Sequence, residues 1–175
     1  MRRVRLLATV LAVVATAVSA PAVAVSSPSP GAAPAGVQRL GSAGYCPDAN
    51  GVTVVVDYQG LGFATEIRCA PGDQPTGLAA LENAGFVVTG TDRWGKAFIC
   101  RINGQPTPAT EPCVNTPPAS AYWSYWHAPN GGSWTYSQFG ATGRKPPLGS
   151  FEGWSFSQNA GPTTNPPPRV APVRP

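Results

Sequence analysis

Residues able to do chemistry are few in this chain, and most of them are aromatic. Between Tyr122 and Phe139 stand Tyr122, Trp123, Tyr125, Trp126, Trp134, Tyr136 and Phe139, seven of the chain's sixteen aromatic residues. Rings at this density bind flat amphipathic molecules or stack on the C–H faces of sugars, and each can also bury about 150 to 250 Å² in a core. Spacing decides which way they point. In a strand, alternation sends Tyr122, Ser124 and Trp126 to one face and Trp123, Tyr125 and His127 to the other. Two aromatic rows leave two readings open: a second core layer, or a surface that receives a ligand or partner.

Catalytic and metal chemistry have less to draw on. His127 is the single histidine; a neutral imidazole can approach a transition metal or a phosphate, but one His makes no two-histidine site. The sequence contains no Gly-x-Ser-x-Gly element and no phosphate-cradling glycine loop. Asp57 and Glu66 are expected across a hairpin on one face, where a carboxylate pair could do glycosidase chemistry, although surface carboxylates near Arg68 are commoner. The reading is a binding protein without catalytic residues and without a required cofactor or metal. Four cysteines, Cys46, Cys69, Cys100 and Cys113, form no Cys-x-x-Cys pair, which favours two disulfides over zinc. Of three connectivities, Cys46 with Cys69 and Cys100 with Cys113 is expected, the first fastening the N-terminal approach to the end of a hairpin and the second closing a Pro-rich loop.

These side chains need a scaffold. Val52 to Tyr58 alternates as a strand, Gly60-Leu61-Gly62 turns the chain, and Phe63 to Cys69 returns antiparallel. Thr76 caps a helix of about two turns through Leu78, Leu81 and Ala84, with Gly85 at its C′ position. Phe86 to Thr89 and Lys96 to Ile102 read as strands. Gln105 to Ser120 is a Pro-rich loop. An aromatic hairpin turns at Asn130-Gly131-Gly132, and Phe151 to Phe156 is a last strand carrying Trp154. Strands with one helix among them make an α+β domain.

The ends differ in composition. Arg2, Arg3 and Arg5 precede the apolar run Leu6 to Val18 and small-residue cleavage sites, so residues 1–24 read as a secretory signal peptide. That run is shorter than a membrane span requires. Residues 25–44, rich in Pro, Ala and Ser, read as a linker; 45–160 as the domain; and 161–175, with six prolines, as a tail that is disordered or extended as polyproline II. Of 12 basic and 8 acidic residues, three basic ones lie in the signal, and 45–160 holds six basic against eight acidic. Nucleic acid is therefore not an expected partner. The expected location is secreted, extracellular or associated with the cell wall.

At Trp94-Gly95, at Tyr122-Trp123, along Thr76-Gly77-Leu78-Ala79-Ala80-Leu81 and at Trp154, the chain resembles the transcobalamin-like C-terminal domain. This family occurs in bacterial surface proteins and as the small domain of transcobalamin and gastric intrinsic factor. The resemblance covers roughly Gly51 to Phe156. It implies one helix among antiparallel strands and a corrinoid ligand, cobalamin, lined by two segments: Trp94, Gly95, Lys96, Ala97 and Phe98, and Trp123, Ser124, Tyr125, Trp126 and His127. The chain lacks the α/α-barrel domain that holds the other side of the ligand in the carriers. A separate exported α/α-barrel protein is then the implied partner. A glycan on the aromatic face, with Asn130, Ser133 and Gln138 as polar neighbours, is the alternative, and a purely protein-binding face a third.

Overall fold

The computed structural model describes residues 41–161 and 163–175; the expected signal peptide and most of the expected linker lie outside them. Eight strands and one helix follow in the order β1 (Ser42–Ala43), β2 (Gly51–Asp57), β3 (Glu66–Pro71), α1 (Gly77–Asn83), β4 (Val88–Thr91), β5 (Gly95–Ile102), β6 (Ala121–Ala128), β7 (Thr135–Tyr136) and β8 (Phe151–Gln158). A six-stranded sheet has the order β1-β3-β2-β8-β6-β7, and β4 and β5 form a separate pair. This is the expected α+β domain, with both expected disulfides, Cys46–Cys69 and Cys100–Cys113, formed. Such bridges contribute about 2 to 4 kcal/mol each, largely by restricting the unfolded chain.

Local chemistry explains the elements. The Val-rich β2 is buried on both faces, as a strand between two neighbours should be. It pairs antiparallel with β3 and parallel with β8. The Thr76 side chain accepts the Ala79 N–H at the start of α1, and Gly85 takes φ 90° just past its end, as the cap residues predict. Gly77 is required by its neighbour, since a Cβ there would stand 2.1 Å from the Tyr125 hydroxyl. The short helix is held by burying Ala80, Leu81 and Ala84 against the sheet.

Register fixes two faces on the large sheet. One carries Val52, Val54, Val56, Trp123, Tyr125, Trp154 and Phe156 into the principal core beneath α1. The other carries Thr53, Val55, Asp57, Phe151, Gly153, Ser155, Tyr122, Ser124 and Trp126. The expected two rows of β6 are real, and both are covered.

The cover on the second face corrects one expectation. Of the two readings of the tail, disorder is the one overturned for residues 165–174: this stretch lies on this face without regular secondary structure, fixed by side-chain and backbone hydrogen bonds. At the other end, Ser42 and Ala43, expected in the linker, pair with Cys69 and Arg68 of β3. The aromatic hairpin is also smaller than expected. Only Trp126 and His127 pair with β7, while all eight residues of β6 pair with β8. The long strand at the chain's end outcompetes a hairpin whose second arm is two residues long.

Candidate functional site

An open groove of about 250 Å³ runs along the outer edge of β6, where β7 does not reach. Ala97, Phe98 and Ile99 of β5 form one wall; Tyr122, Trp123 and Tyr125 the floor; and Tyr136, Ser137, Gln138, Phe139 and Gly140 the other wall. Phe139 is 68 % exposed. Its loop is held locally: the Ser137 N–H donates to the Tyr125 carbonyl at 2.9 Å, and the Ser137 hydroxyl donates to the Phe139 carbonyl at 2.8 Å. A rigid turn thus presents an apolar ring to solvent beside two polar side chains.

The floor is anchored in the core. Trp123 is 6 % exposed, meets Tyr58 and Phe156 edge-on at centroid distances of 5.5 and 5.2 Å, and donates its indole N–H to the Gln105 carbonyl. Tyr125 stacks on Trp154 at 4.9 Å, and its hydroxyl donates to Glu152. Glu152 is fully buried, with Arg144 Nη1 at 3.0 Å from its Oε1. Burial pushes the Glu152 carboxyl up to about 7, against the hydrogen bond from Tyr125 and the Arg144 charge, which both lower it. Tyr136 meets Trp126 edge-on at 5.3 Å, its hydroxyl is 3.3 Å from that of Tyr122, and burial together with this neighbour raises it to about 12. Burial and the Glu152 carboxylate likewise raise the Tyr125 phenol, so at neutral pH Tyr125 and Tyr136 present phenols, not phenolates.

Of the residues expected to contact a ligand, the groove brings together Ala97 and Phe98 from one segment and Trp123 and Tyr125 from the other. The rest lie elsewhere. Trp94, 54 % exposed, stands at the β4–β5 turn beside the Arg93 guanidinium, where its N–H donates to Thr91 and Gly95 takes φ 55°. Lys96 pairs with Glu82 of α1. Ser124 and Trp126 sit on the opposite sheet face, the Trp126 indole donating to the Ser124 hydroxyl. His127 faces a different hollow with Arg144, Pro147 and Asn130; burial, then the Arg144 charge, lower its pKa, which keeps it neutral near pH 7. Asn130 accepts the Arg174 N–H.

The expected carboxylate pair does not exist. Glu66 pairs with Val56 and so shares its face, opposite Asp57. There Glu66 accepts from the Tyr58 hydroxyl and from Arg68, whereas Asp57 is bound by Arg169. Cys100, Cys113 and Glu111 cluster within 4.8 Å, but the two sulfurs are bonded to each other and offer no thiolate for a metal. Sequence reasoning missed the Glu152–Arg144–Tyr125 cluster, whose members come from β8, the irregular loop before it and β6. It also missed the wall role of Ser137 and Gly140, for which the Ser-x-Phe-Gly turn was the available signal. Comparison with family models, with curated proteins and with solved structures finds no match for this chain.

Proposed function

We propose that the protein is an exported, non-enzymatic binding module whose β6-edge groove takes the edge of a planar, amphipathic ring ligand. The observation that carries this reading is the meeting of Ala97 and Phe98 with Trp123 and Tyr125 in one open groove, with Phe139 exposed at its rim. Its size supports a half-site: about 250 Å³ falls short of the roughly 300 to 1,000 Å³ that encloses a whole ligand. A corrinoid, held from the other side by a separate helical-barrel protein, is the ligand the family resemblance supports. The two disulfides suit an oxidising, extracellular compartment, and among the described residues no helix is long and apolar enough to cross a membrane.

Ser137 and Gln138 beside the Phe139 ring favour a second reading, a sugar stacked on Phe139 and hydrogen-bonded by its neighbours. Thermal unfolding of the full chain with cobalamin and, separately, with oligosaccharides distinguishes the two. A ligand at a hundredfold excess over its dissociation constant adds about 2.7 kcal/mol of stability. A midpoint rise with cobalamin that Phe98→Ala or Phe139→Ala removes supports the corrinoid half-site; a rise with sugars alone assigns the groove to glycans. No rise with either, alone or with a barrel protein added, defeats the reading.

A further inference from the structure

The second sheet face is built to hold a Pro-rich peptide. Asn165 donates its side-chain amide to the Tyr122 hydroxyl at one end, and the Arg174 N–H reaches Asn130 at the other. Between these points the segment follows the length of β6, eight residues or about 25 Å at strand rise. The segment bends at Arg169, Val170 and Pro172, and the Val173 N–H donates to the Ala171 carbonyl at 2.8 Å, so it crosses the face as a bent strap. Proline has no N–H to give a neighbouring strand, so this segment is read through its carbonyls. Gln59 Nε2 donates to the Pro167 carbonyl at 3.1 Å, the Trp134 indole N–H to Val170 at 2.8 Å, and the Gly131 N–H to Pro172 at 2.8 Å.

Charge and shape complete the match. Arg169 donates from both Nε and Nη2 to the fully buried Asp57, with Nη2 at 2.6 Å from Oδ1, and adds its backbone N–H at 2.7 Å. Gly153 leaves the space above the sheet open: a Cβ there would stand 2.8 Å from Pro168 Cγ and 2.9 Å from the Trp134 ring. An aromatic N–H on a carbonyl, a carboxylate for an arginine, and a flat floor for a proline ring are the parts by which Pro-rich ligands are recognised.

We infer that this face is a recognition site for a Pro-rich, arginine-bearing peptide segment, filled in cis by the chain's own residues 165–174 and open to a separate segment of the same chemistry when that tail lifts. The inference goes beyond the groove and does not depend on what the groove binds. A tethered occupant competes at an effective concentration near millimolar, so the intact chain should mask the site.

The test is fluorescence anisotropy of a labelled peptide with the sequence of residues 165–175, titrated with the full chain, wild-type or carrying Arg169→Ala. Saturable binding to Arg169→Ala at least about tenfold tighter than to wild type, weakened when Asp57→Asn is added, is the expected result. A folded Arg169→Ala chain that does not bind the peptide overturns the inference. So does light scattering that shows copies linked through exchanged tails while the peptide stays excluded. If Arg169→Ala fails to fold, a protease site inserted between Thr163 and Asn165 decides. After cutting, replacement of the native tail by labelled peptide supports the site, whereas loss of the fold or a tail that never exchanges makes the segment a structural strap and overturns it.

Discussion

The two faces of the central sheet are buried by different means. Beneath α1, Leu81, Trp154, Phe156 and Tyr125 interlock in an apolar core whose cover is tied into the chain at both ends. On the opposite face, Val55, Phe151 and Trp134 form a smaller apolar cluster, and most of the remaining cover is a terminal segment held by named hydrogen bonds and one ion pair. The same strands thus contribute to a nondirectional contact on one side and to a directional, residue-specific one on the other. The first resists removal as a unit; the second can come away piecewise, because it is held by separate bonds that can break one at a time.

The largest effect should come from the helix face. Leu81→Ala, at a fully buried position, should cost about 2 to 5 kcal/mol and lower the midpoint of a single cooperative transition in denaturant. An effect confined to Trp134, with the helix-face core unfolding at its wild-type midpoint, would break the comparison. Next is Glu152→Gln. The folded pKa of Glu152 is raised to about 7 from the ordinary 4.5, so its contribution is fully present below about pH 4.5 and is lost as the pH rises through 7. Each pKa unit of that interval is worth about 1.4 kcal/mol. Unfolding curves at pH 5 and pH 8 should show the wild type losing stability between them and Glu152→Gln losing less; equal losses would remove Glu152 as the source.

Gly153→Ala sharpens the contrast from the other face. Its methyl would press on Trp134 and Pro168 at about 1 to 3 kcal/mol, the range for overpacking. Tail amides should then exchange faster while those of β2 and β8 keep their protection; uniform loss would mean that the strap and core are one unit. Phe139→Ala should do least to stability, within about 0.5 kcal/mol, because the ring is exposed. It should nonetheless remove the cobalamin or sugar response, and a response left intact would move the ligand away from the groove.

Where bonds are local, the residues announce the structure. Thr76 and Gly85 bound the helix, the Val alternation of β2 places its two faces, and the cysteine spacing pairs correctly. The strap was illegible for a physical reason. Six prolines signal a segment that cannot form regular structure by itself, which is true, but its partners Gln59, Trp134 and Asp57 lie 108, 36 and 112 residues away from their contacts in the tail. Nothing in the composition of 161–175 reports them. The family resemblance likewise pointed to Trp94 and Trp126 as ligand contacts, yet a turn carries one and the second face buries the other. Part of the groove could be read because the family resemblance named Ala97, Phe98, Trp123 and Tyr125, and strand alternation puts Trp123 and Tyr125 on one face; its outer wall, a turn from Ser137 to Gly140, follows no period.

The position of β8 governs how the domain can be made. It lies between β2 and β6, parallel to β2 and about a hundred residues later, with Thr53 opposite Phe151 and Asp57 opposite Ser155. A chain emerging from its N-terminus can form the β2–β3 hairpin and α1 early, but until residues 151–158 arrive the inner edges of β2 and β6 have no partner, and unpaired edges invite association with other chains. Closing so long a loop is slow. The domain stays open until residues 151–158 are delivered, because that one strand joins the two halves of the sheet.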